Sequence, residues 1–237
     1  PPRFSPDGKK LAYISAKQTL IVSDADGTNP KTVTVGHEIS DISWSPDSRW
    51  LAYTHDDEEY NGEVMVVKAE AGAKPINVTK HPRNDGSASW SPDGTKLFFI
   101  SERGQSRDNI AQWVYLRKED DERTADGWQK LKAGARPAGG PAAPGAAPAA
   151  TPAPAAAAAP AAKLVEVDAD GIHTRVRVLL ATKSSVRGVI AGGSDSRTTV
   201  AVVTAGWASS TFCRLAAQPP QDMPDTVSSM VMGYLLC

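Results

Sequence analysis

Short apolar runs recur in the first hundred residues, and they are apolar at successive positions instead of alternating with polar ones. The three runs are Leu11–Ile14, Leu51–Thr54 and Leu97–Ile100. Such a run is typical of a strand that is buried on both faces. A further strand is predicted after each run. These strands are Thr19–Ser23, Glu63–Val67 and Gln112–Leu116.

Each apolar run follows the same motif, an aromatic residue and then Ser, Pro and Asp. The copies read FSPDGKKLAYI from Phe4, WSPDSRWLAYT from Trp44 and WSPDGTKLFFI from Trp90. Ser-Pro-Asp-Gly fits a type I turn, because proline suits the second position and glycine can take a positive φ at the fourth. Ser48 stands in place of that glycine in the second copy, and we expect a small cost if it is left-handed.

The spacing of the motif indicates the fold. The aromatic residues are 40 and 46 residues apart, and the longer unit contains an extra polar segment, His55–Gly62. A period near 40 with three or four strands predicts an all-β protein of propeller blades, each a four-stranded antiparallel sheet. The recurring aromatic residues Phe4, Trp44 and Trp90 are expected to pack between blades.

A degenerate fourth copy of the turn is present at Ser194–Arg197, and Thr199–Val203 supplies a strand after it. Propellers usually close with about four to eight blades. Three clear blades and one degenerate blade therefore predict an incomplete ring.

These repeats resemble TolB-like and tricorn-type β-propeller repeats. The segments WVYLRKEDD, from Trp113, and LVEVDADGIHTRVRVLL, from Leu164, are similar to the propeller of the tricorn protease family, where a variable insertion separates two such segments. The second segment carries the resemblance through Val165, Val167, Asp168, Asp170, Gly171, Ile172, Arg175 and Val176. In all, the resemblance covers roughly Phe4 to Val203.

We expect four regions along the chain. Residues 1–133 are propeller blades, residues 134–162 an Ala/Pro-rich flexible insertion, residues 163–206 a continuation of the propeller, and residues 207–237 an unassigned tail, truncated or aberrant. Frequent proline and small side chains make a packed structure of the insertion unfavourable, so it is expected to be disordered.

Charge and composition exclude some partners. The net charge of −1 gives no basic excess for nucleic acid, and no run of about 18 apolar residues could cross a membrane. Cys213 and Cys237 lie outside any C-x-x-C spacing and leave the redox compartment open. The sequence starts at Pro1 without a leader and looks cut, so the compartment is unknown, cytoplasmic by resemblance with periplasmic as the alternative.

No catalytic residue, cofactor or metal ligand is predicted. The sequence has no Gly-x-Ser-x-Gly, and its histidines are interpreted as solvated residues in or beside turns. These are His37, His55, His81 and His173. The two DADG segments, Asp24–Gly27 and Asp168–Gly171, lack the other ligands of a calcium loop and are interpreted as turns. Substrate-binding residues are unknown.

Two further segments leave alternatives open. The acidic residues Asp56, Asp57, Glu58 and Glu59 are either a solvated charge run or a contact for the cationic end of a peptide. Asn77-Val78-Thr79 spells a glycosylation sequon, although it lies in a predicted strand.

The resemblance implies a non-catalytic propeller segment of a tricorn-like serine peptidase that degrades oligopeptides. In that family the catalytic groups belong to a separate C-terminal region, and the propeller acts as a substrate filter or guide. The alternative is a TolB-like periplasmic protein-binding scaffold with no enzymatic activity. A third interpretation, an exported sugar-binding or lyase-type propeller, has only the one acidic loop to support it. Peptides or a protein at the propeller face are the expected partners, and a homo-oligomer is left open.

Overall fold

Four antiparallel sheets follow one another along the chain. The structure is a computed structural model and describes residues 1–104, 108–124, 127, 164–180, 186–194, 197–204 and 210–216. Blade 1 contains β1 (Arg3–Phe4), β2 (Lys10–Ser15), β3 (Thr19–Asp24) and β4 (Lys31–Val35). Blade 2 contains β5 (His37–Trp44), β6 (Trp50–Asp56), β7 (Gly62–Lys68) and β8 (Ile76–Asn77). Each of the two sheets has its strands in sequence order.

Blade 3 is completed by a strand that follows a long excursion of the chain. Its strands are β9 (Asp85–Trp90), β10 (Lys96–Ser101), β11 (Ile110–Tyr115) and β12 (Arg177–Leu180). Between β11 and β12 the chain forms α1 (Lys118–Glu122) and a 3-10 helix (Ile172–Arg175). Because β12 pairs with β11, the chain returns to the blade that it left. The predicted insertion, residues 134–162, lies outside the described residues.

Blade 4 has three strands among the described residues, β13 (Val186–Ser194), β14 (Arg197–Thr204) and β15 (Ser210–Ala216). The hairpin between β13 and β14 is the degenerate fourth copy of the turn, with Ser194 paired to Arg197. β15 lies in the tail to which the sequence assigned no structure. This tail lacks the repeated motif, but its strand can pair along the open edge of β14.

The all-β prediction of antiparallel blades is therefore confirmed. Each predicted second strand lies inside an observed one, in β2, β6 and β10. The described residues contain four sheets and no ring closed by further blades.

The repeated turn, which we call the corner of each blade, explains the Ser-Pro-Asp motif. In blade 1 the Gly8 N–H donates to the Ser5 carbonyl at 2.9 Å, and the Ser5 hydroxyl donates to Asp7 Oδ1 at 2.6 Å. The same serine oxygen accepts the N–H of Lys10 at 2.9 Å. Corners 2 and 3 repeat these bonds around Ser45 and Ser91.

The fourth position of corners 1, 2 and 3 is left-handed. Gly8 has a φ of 70° and Gly94 a φ of 67°, and Ser48 adopts 60° in the second copy. The expected strain at Ser48 is therefore present. Its hydroxyl accepts the N–H of Asp7 at 3.2 Å, so this serine joins corner 2 to corner 1.

Consecutive blades are linked through their first strands, which contact one another. The indole Nε1 of Trp44 donates to the Arg3 carbonyl at 2.9 Å, and that of Trp90 donates to the Ser43 carbonyl at 3.2 Å. Arg3 and Ser43 each stand directly before the aromatic residue of their own corner. The described residues of blade 4 include no such tryptophan, and the N–H of Ala191 donates to the Ser89 hydroxyl at 3.0 Å instead.

The hydrophobic core consists of three layers, each between two neighbouring blades. Trp44 and Trp90 are 8% and 5% exposed, which confirms their predicted core position. The prediction is wrong for Phe4, which is 63% exposed. The described residues place no blade on the side of blade 1 that Phe4 faces.

The chain between the insertion and the 3-10 helix crosses from blade 3 to blade 2, and we call its residues Leu164–Val167 the strap. The Val165 N–H donates to Asp47 Oδ2 at 2.8 Å, and its carbonyl accepts Nε1 of Trp50 at 3.1 Å. Val165 also lies against Gly94, where an added Cβ would come within 2.5 Å of Val165 Cγ2. Glycine at corner 3 is therefore needed for space as well as for its φ.

Buried Arg175 fixes the chain just after the strap. Its guanidinium donates to four backbone carbonyls, those of Tyr115, Leu116, Asp168 and Asp170, at 2.8 to 3.4 Å. The family-like segment thus closes the excursion against the end of β11.

We predict that Trp90→Phe lowers the free energy of unfolding by about 1–3 kcal/mol, because the bond to the Ser43 carbonyl and part of the ring are lost. Trp113→Phe is the matched control, since Trp113 is also buried and its Nε1 has no partner among the described residues. Urea unfolding of both variants measures the difference. Equal losses would show that the indole bond does not link the blades.

We predict that Gly94→Ala destabilises the protein by about 1–3 kcal/mol more than Gly8→Ala does. Both residues are left-handed, but a Cβ at Gly8 would meet open space, whereas at Gly94 it would meet Val165. The extra cost should fall when Val165→Ala is added to Gly94→Ala. Thermal and urea unfolding provide the measurement, and equal costs at the two glycines would contradict the position of the strap.

Candidate functional site

A cleft of about 550 Å³ lies beside the loop that joins β6 to β7, and it is the candidate site. His37 enters it from the start of β5, and His55 and Asp56 from the end of β6. The loop supplies Asp57, Glu58 and Tyr60. These six residues form the walls. The two strands carry the histidines to the same edge because His37 pairs with Asp56 across the sheet.

The two histidines hold each other in place. The backbone N–H of His37 donates to Nδ1 of His55 at 3.0 Å, so the proton of the neutral His55 ring is on Nε2. Gly36 makes room for this ring, since a Cβ there would come within 2.6 Å of Nδ1. His37 begins β5 and His55 lies one residue before the end of β6, so both histidines are in strands and beside turns, as the sequence allowed.

Tyr60 forms the rim of the cleft. Its ring packs edge-on against His37, with centroids 5.4 Å apart, and the residue is 71% exposed. Its φ is 62°, which is unusual for a bulky side chain. The turn therefore holds an aromatic surface open to solvent beside the acidic residues.

The acidic residues of the loop have different tasks. Asp57 Oδ1 accepts the N–H of Glu59 at 2.9 Å and that of Asn61 at 2.8 Å, so this carboxylate shapes the turn. The bonds from Asn61 hold the pKa of Asp57 below its usual value. Asp56 and Glu58 accept no hydrogen bond from the described residues, and their carboxylates are available at the cleft.

Charge near the cleft is mainly negative. Lys17 is paired with Glu38 at 2.8 Å, and both are exposed. The bond to Glu38 raises the pKa of Lys17, and the charge of Asp56 contributes. A cationic group with an adjacent apolar part would match the carboxylates and the ring of Tyr60. Among the described residues, the walls of the cleft include no serine, cysteine or threonine to act as a nucleophile.

A buried polar network fastens blade 2 to blade 3 next to the loop. The hydroxyl of Thr79 and the N–H of His81 both donate to the carboxylate of Glu63. Beside them, Arg103 pairs with the buried Asp85 at 2.7 Å. Burial raises the pKa of Glu63 and of Asp85, and it lowers the pKa of His81. This network was not predicted from the sequence.

The loop is also tied to the start of blade 3 through its backbone. The N–H of Gly62 donates to Oδ1 of Asn84 at 2.9 Å, and the amide of Asn84 donates to Glu102 at 3.0 Å. One end of the cleft loop is therefore held by blade 3.

The remaining candidate residues take part in turns and in hydrogen bonds within the fold. In the sequon, the Asn77 side chain accepts the N–H groups of Thr79 and Lys80, and Thr79 is buried. The first DADG segment is a turn in which Gly27 N–H donates to Asp24 O at 2.9 Å. In the second, Asp168 Oδ2 accepts the Lys118 N–H at 2.9 Å. His173 lies in the 3-10 helix, and Cys237 lies outside the described residues.

No group of three or more His, Cys, Asp and Glu side chains in the described part of the chain is arranged to hold a metal ion. No described helix has the length and apolar character needed to cross a membrane.

Comparison with known proteins identifies the repeats. Residues 1–113 match the model of the TolB beta propeller domain, and this part of the chain is therefore similar to TolB-type propeller repeats. Among curated proteins, a tricorn-like protease C-terminal subunit of Sulfurisphaera tokodaii is 34% identical over 103 residues, and a tricorn protease homolog of Saccharolobus solfataricus is 29% identical over 103 residues. Tol-Pal system protein TolB of Francisella tularensis is 31% identical over 110 residues. The predicted resemblance is confirmed.

Each of these alignments covers 41–43% of this chain, which spans only 12%, 10% and 24% of the three relatives. Among solved structures, a TolB from Agrobacterium tumefaciens superposes with a TM-score of 0.53 at 14% identity, over 91% of this chain and 57% of the other. TolB from Acinetobacter baumannii gives 0.50 at 15% identity, over 88% and 39%. At these identities the structures support the fold alone.

We predict that Glu63→Gln becomes progressively more favourable, relative to the parent chain, as the pH rises from about 4 to 7. Burial raises the pKa of Glu63 above its ordinary value of 4.5. The folded state therefore holds this proton more tightly than the unfolded chain does. The stability that this group contributes is present at low pH and is lost as the pH rises through the raised pKa.

Urea unfolding at several pH values measures the difference in free energy between the two proteins. Asp26→Asn is a control of opposite sign, because hydrogen bonds from Thr28 lower the pKa of Asp26. A difference between Glu63→Gln and the parent that does not change with pH would contradict the buried position of the carboxylate.

Proposed function

We propose that this chain is a non-catalytic propeller segment of a tricorn-like serine peptidase that degrades oligopeptides, and that it filters or guides peptides. The cleft between the ends of β5 and β6 is the proposed peptide contact. It receives a cationic amino terminus or a basic side chain. Catalysis is assigned to groups outside this chain.

The observation that carries the proposal is the composition of the cleft. The carboxylates of Asp56 and Glu58 have no hydrogen-bond donor among the described residues, and an exposed Tyr60 ring stands beside them. Peptides offer both complements, an ammonium group and apolar side chains. A rigid scaffold with a short recognition loop is a common arrangement for binding.

The comparisons support the peptidase context at the level of relatives. Two of the curated relatives are tricorn-like proteases, and each is similar to this chain over 103 residues. The described walls of the cleft contain no serine, cysteine or threonine, which agrees with a guiding role. On this proposal the protein is cytoplasmic.

A TolB-like scaffold that binds a protein is the second candidate. It is favoured by the match of residues 1–113 to the TolB beta propeller domain and by the superposition on TolB structures. It places the protein in the periplasm and makes a folded partner the ligand. The two candidates differ in whether a short peptide binds by itself.

The test is fluorescence anisotropy of residues 1–237 with a labelled ten-residue peptide that has a free amino terminus. We predict binding that weakens about two- to fivefold when the amino terminus is acetylated, as expected for an exposed charge pair. The variant Asp56→Asn with Glu58→Gln should lose the same factor. Binding should weaken with added salt, because these charges are exposed to solvent.

Glu70→Gln is the matched control, since Glu70 is an exposed carboxylate at the far end of blade 2, after β7. It should bind peptide as the parent does. Asp57 is left unchanged in this test because it shapes the loop. The cleft would be rejected as the contact if acetylation of the peptide and the double variant both left the affinity unchanged. Capture of a folded protein without peptide binding would favour the TolB-like candidate.

A further inference from the structure

One face of blade 1 is apolar and uncovered, and we call it the open face. It is formed by Phe4, Leu11, Tyr13, Ile21 and Val35, which come from all four strands of the blade. The cross-strand pairs Phe4–Leu11, Tyr13–Ile21 and Thr19–Val35 place these side chains on one side of the sheet. The alternate residues of the same strands, among them Ala12, Leu20 and Val33, pack against blade 2.

The same positions are buried in the next two blades. Phe4, at 63% exposure, corresponds to Trp44 at 8% and Trp90 at 5%. Leu11 and Tyr13 are partly exposed, and their counterparts are fully or almost fully buried. The counterparts are Leu51 and Tyr53 in blade 2 and Leu97 and Phe99 in blade 3. Burial raises the pKa of Tyr53 to about 12.

We infer that the open face is an interface for one further TolB-type blade of the same protein, which packs on blade 1 as blade 1 packs on blade 2. The inference rests on the propeller fold and is independent of the peptide cleft. It follows from the register of the strands. In blades 2 and 3 this face is covered by the preceding blade, whereas the same face of blade 1 is apolar and uncovered. Phe4 and Val35 are two of the large hydrophobic residues that the described part of the chain exposes.

The two observed interfaces also indicate which side chains the further blade must present to blade 1. Blade 1 offers blade 2 a face of small and branched apolar side chains, and blade 2 offers blade 3 a similar one. The first set is Ala12, Leu20, Val22 and Val33, and the second is Ala52, Val64, Val66 and Val78. The incoming blade needs the same kind of face. Since the side chain of Phe4 has no N–H, this interface lacks the indole bond of the other two.

A blade from the same polypeptide is favoured over a second copy of this chain. Relatives of the same fold are longer, since this chain spans 57% of the TolB structure from Agrobacterium tumefaciens and 24% of the curated TolB relative. They thus contain additional chain that could supply a blade. A blade in one chain also arrives in the register that the other interfaces use.

The experiment duplicates residues 37–86 in front of Pro1 of the 237-residue chain. Pro1 corresponds to Ser87, three residues before the aromatic residue of its corner, so the duplicate enters in the native register. Tyr13→Lys and Tyr53→Lys are then compared in both proteins. Tyr53 is the matched control because it is already covered by a blade.

We predict that Tyr13→Lys lowers Tm by less than about 2 °C in the 237-residue chain and by more than about 5 °C in the extended protein. Tyr53→Lys should be costly in both. Amide hydrogen exchange in β2 should slow at least about tenfold when the duplicate covers the face. Phe4→Trp should raise Tm in the extended protein alone, because a carbonyl then becomes available to an indole.

Three outcomes would overturn the inference. One is an equal effect of Tyr13→Lys in the two proteins, and another is unchanged exchange in β2 of a folded extended protein. The third is a concentration-dependent dimer of the 237-residue chain that Tyr13→Lys dissolves, which would assign the face to a second copy. If the duplicate does not fold, the extended protein that carries Phe4→Trp repeats the test with the indole bond restored. Peptide binding at the cleft should be unaffected by Tyr13→Lys, so the two proposals fail separately.

Discussion

The structure depends on one constraint, the packing of the face of one sheet against the face of the next. An indole bond between first strands fixes this packing. Trp44 and Trp90 each donate to a carbonyl that directly precedes the aromatic residue of the blade before. Such a bond sets the register of two blades as well as their distance. A shifted register would leave the buried indole N–H unpaired, which costs about 1–3 kcal/mol. The corner motif recurs because each interface needs the aromatic residue in the same place.

This register also determines what lies at the cleft. β5 carries two bulges, with Glu38 and Asp41 in the left-handed region, and they shift its pairing with β6. His37 therefore pairs with Asp56, whereas an unbroken register from Trp44 and Leu51 would place it opposite Glu58. The buried Glu63 network then holds the other end of the loop. A recognition surface is thus built by departures from regular pairing on a regular scaffold.

Much of the fold could be predicted from the sequence, because its signals are local. The corners, the second strands and the positive φ at Ser48 follow from turn chemistry and from runs of apolar residues. The exposed position of Phe4 could not be predicted, since it depends on what covers blade 1 and not on the motif. β15 was missed because its pairing with β14 is set by an available edge.

The candidate site was predictable only in part. The acidic loop was singled out, and the structure places three of its four carboxylates at a cleft. The bond between His37 and His55 depends on bulges that no turn motif predicts. Nothing in the sequence distinguished Tyr60 from the other residues of the loop. His55 and Tyr60 both lie within the polar segment that lengthens the second repeat. An insertion that interrupts a repeat could therefore have been treated as the signal for a site.

The fourth corner position shows how one repeated motif can serve different surroundings. At corner 3 the strap lies against Gly94, and the missing side chain leaves room for Val165. At corner 2 the strap bonds to Asp47, and Ser48 uses its side chain to accept a bond from Asp7 of the preceding blade. The bond between blades offsets part of the cost of its left-handed backbone. The repeated motif therefore specifies the scaffold. The residue at its fourth position varies with the segment that lies next to each corner.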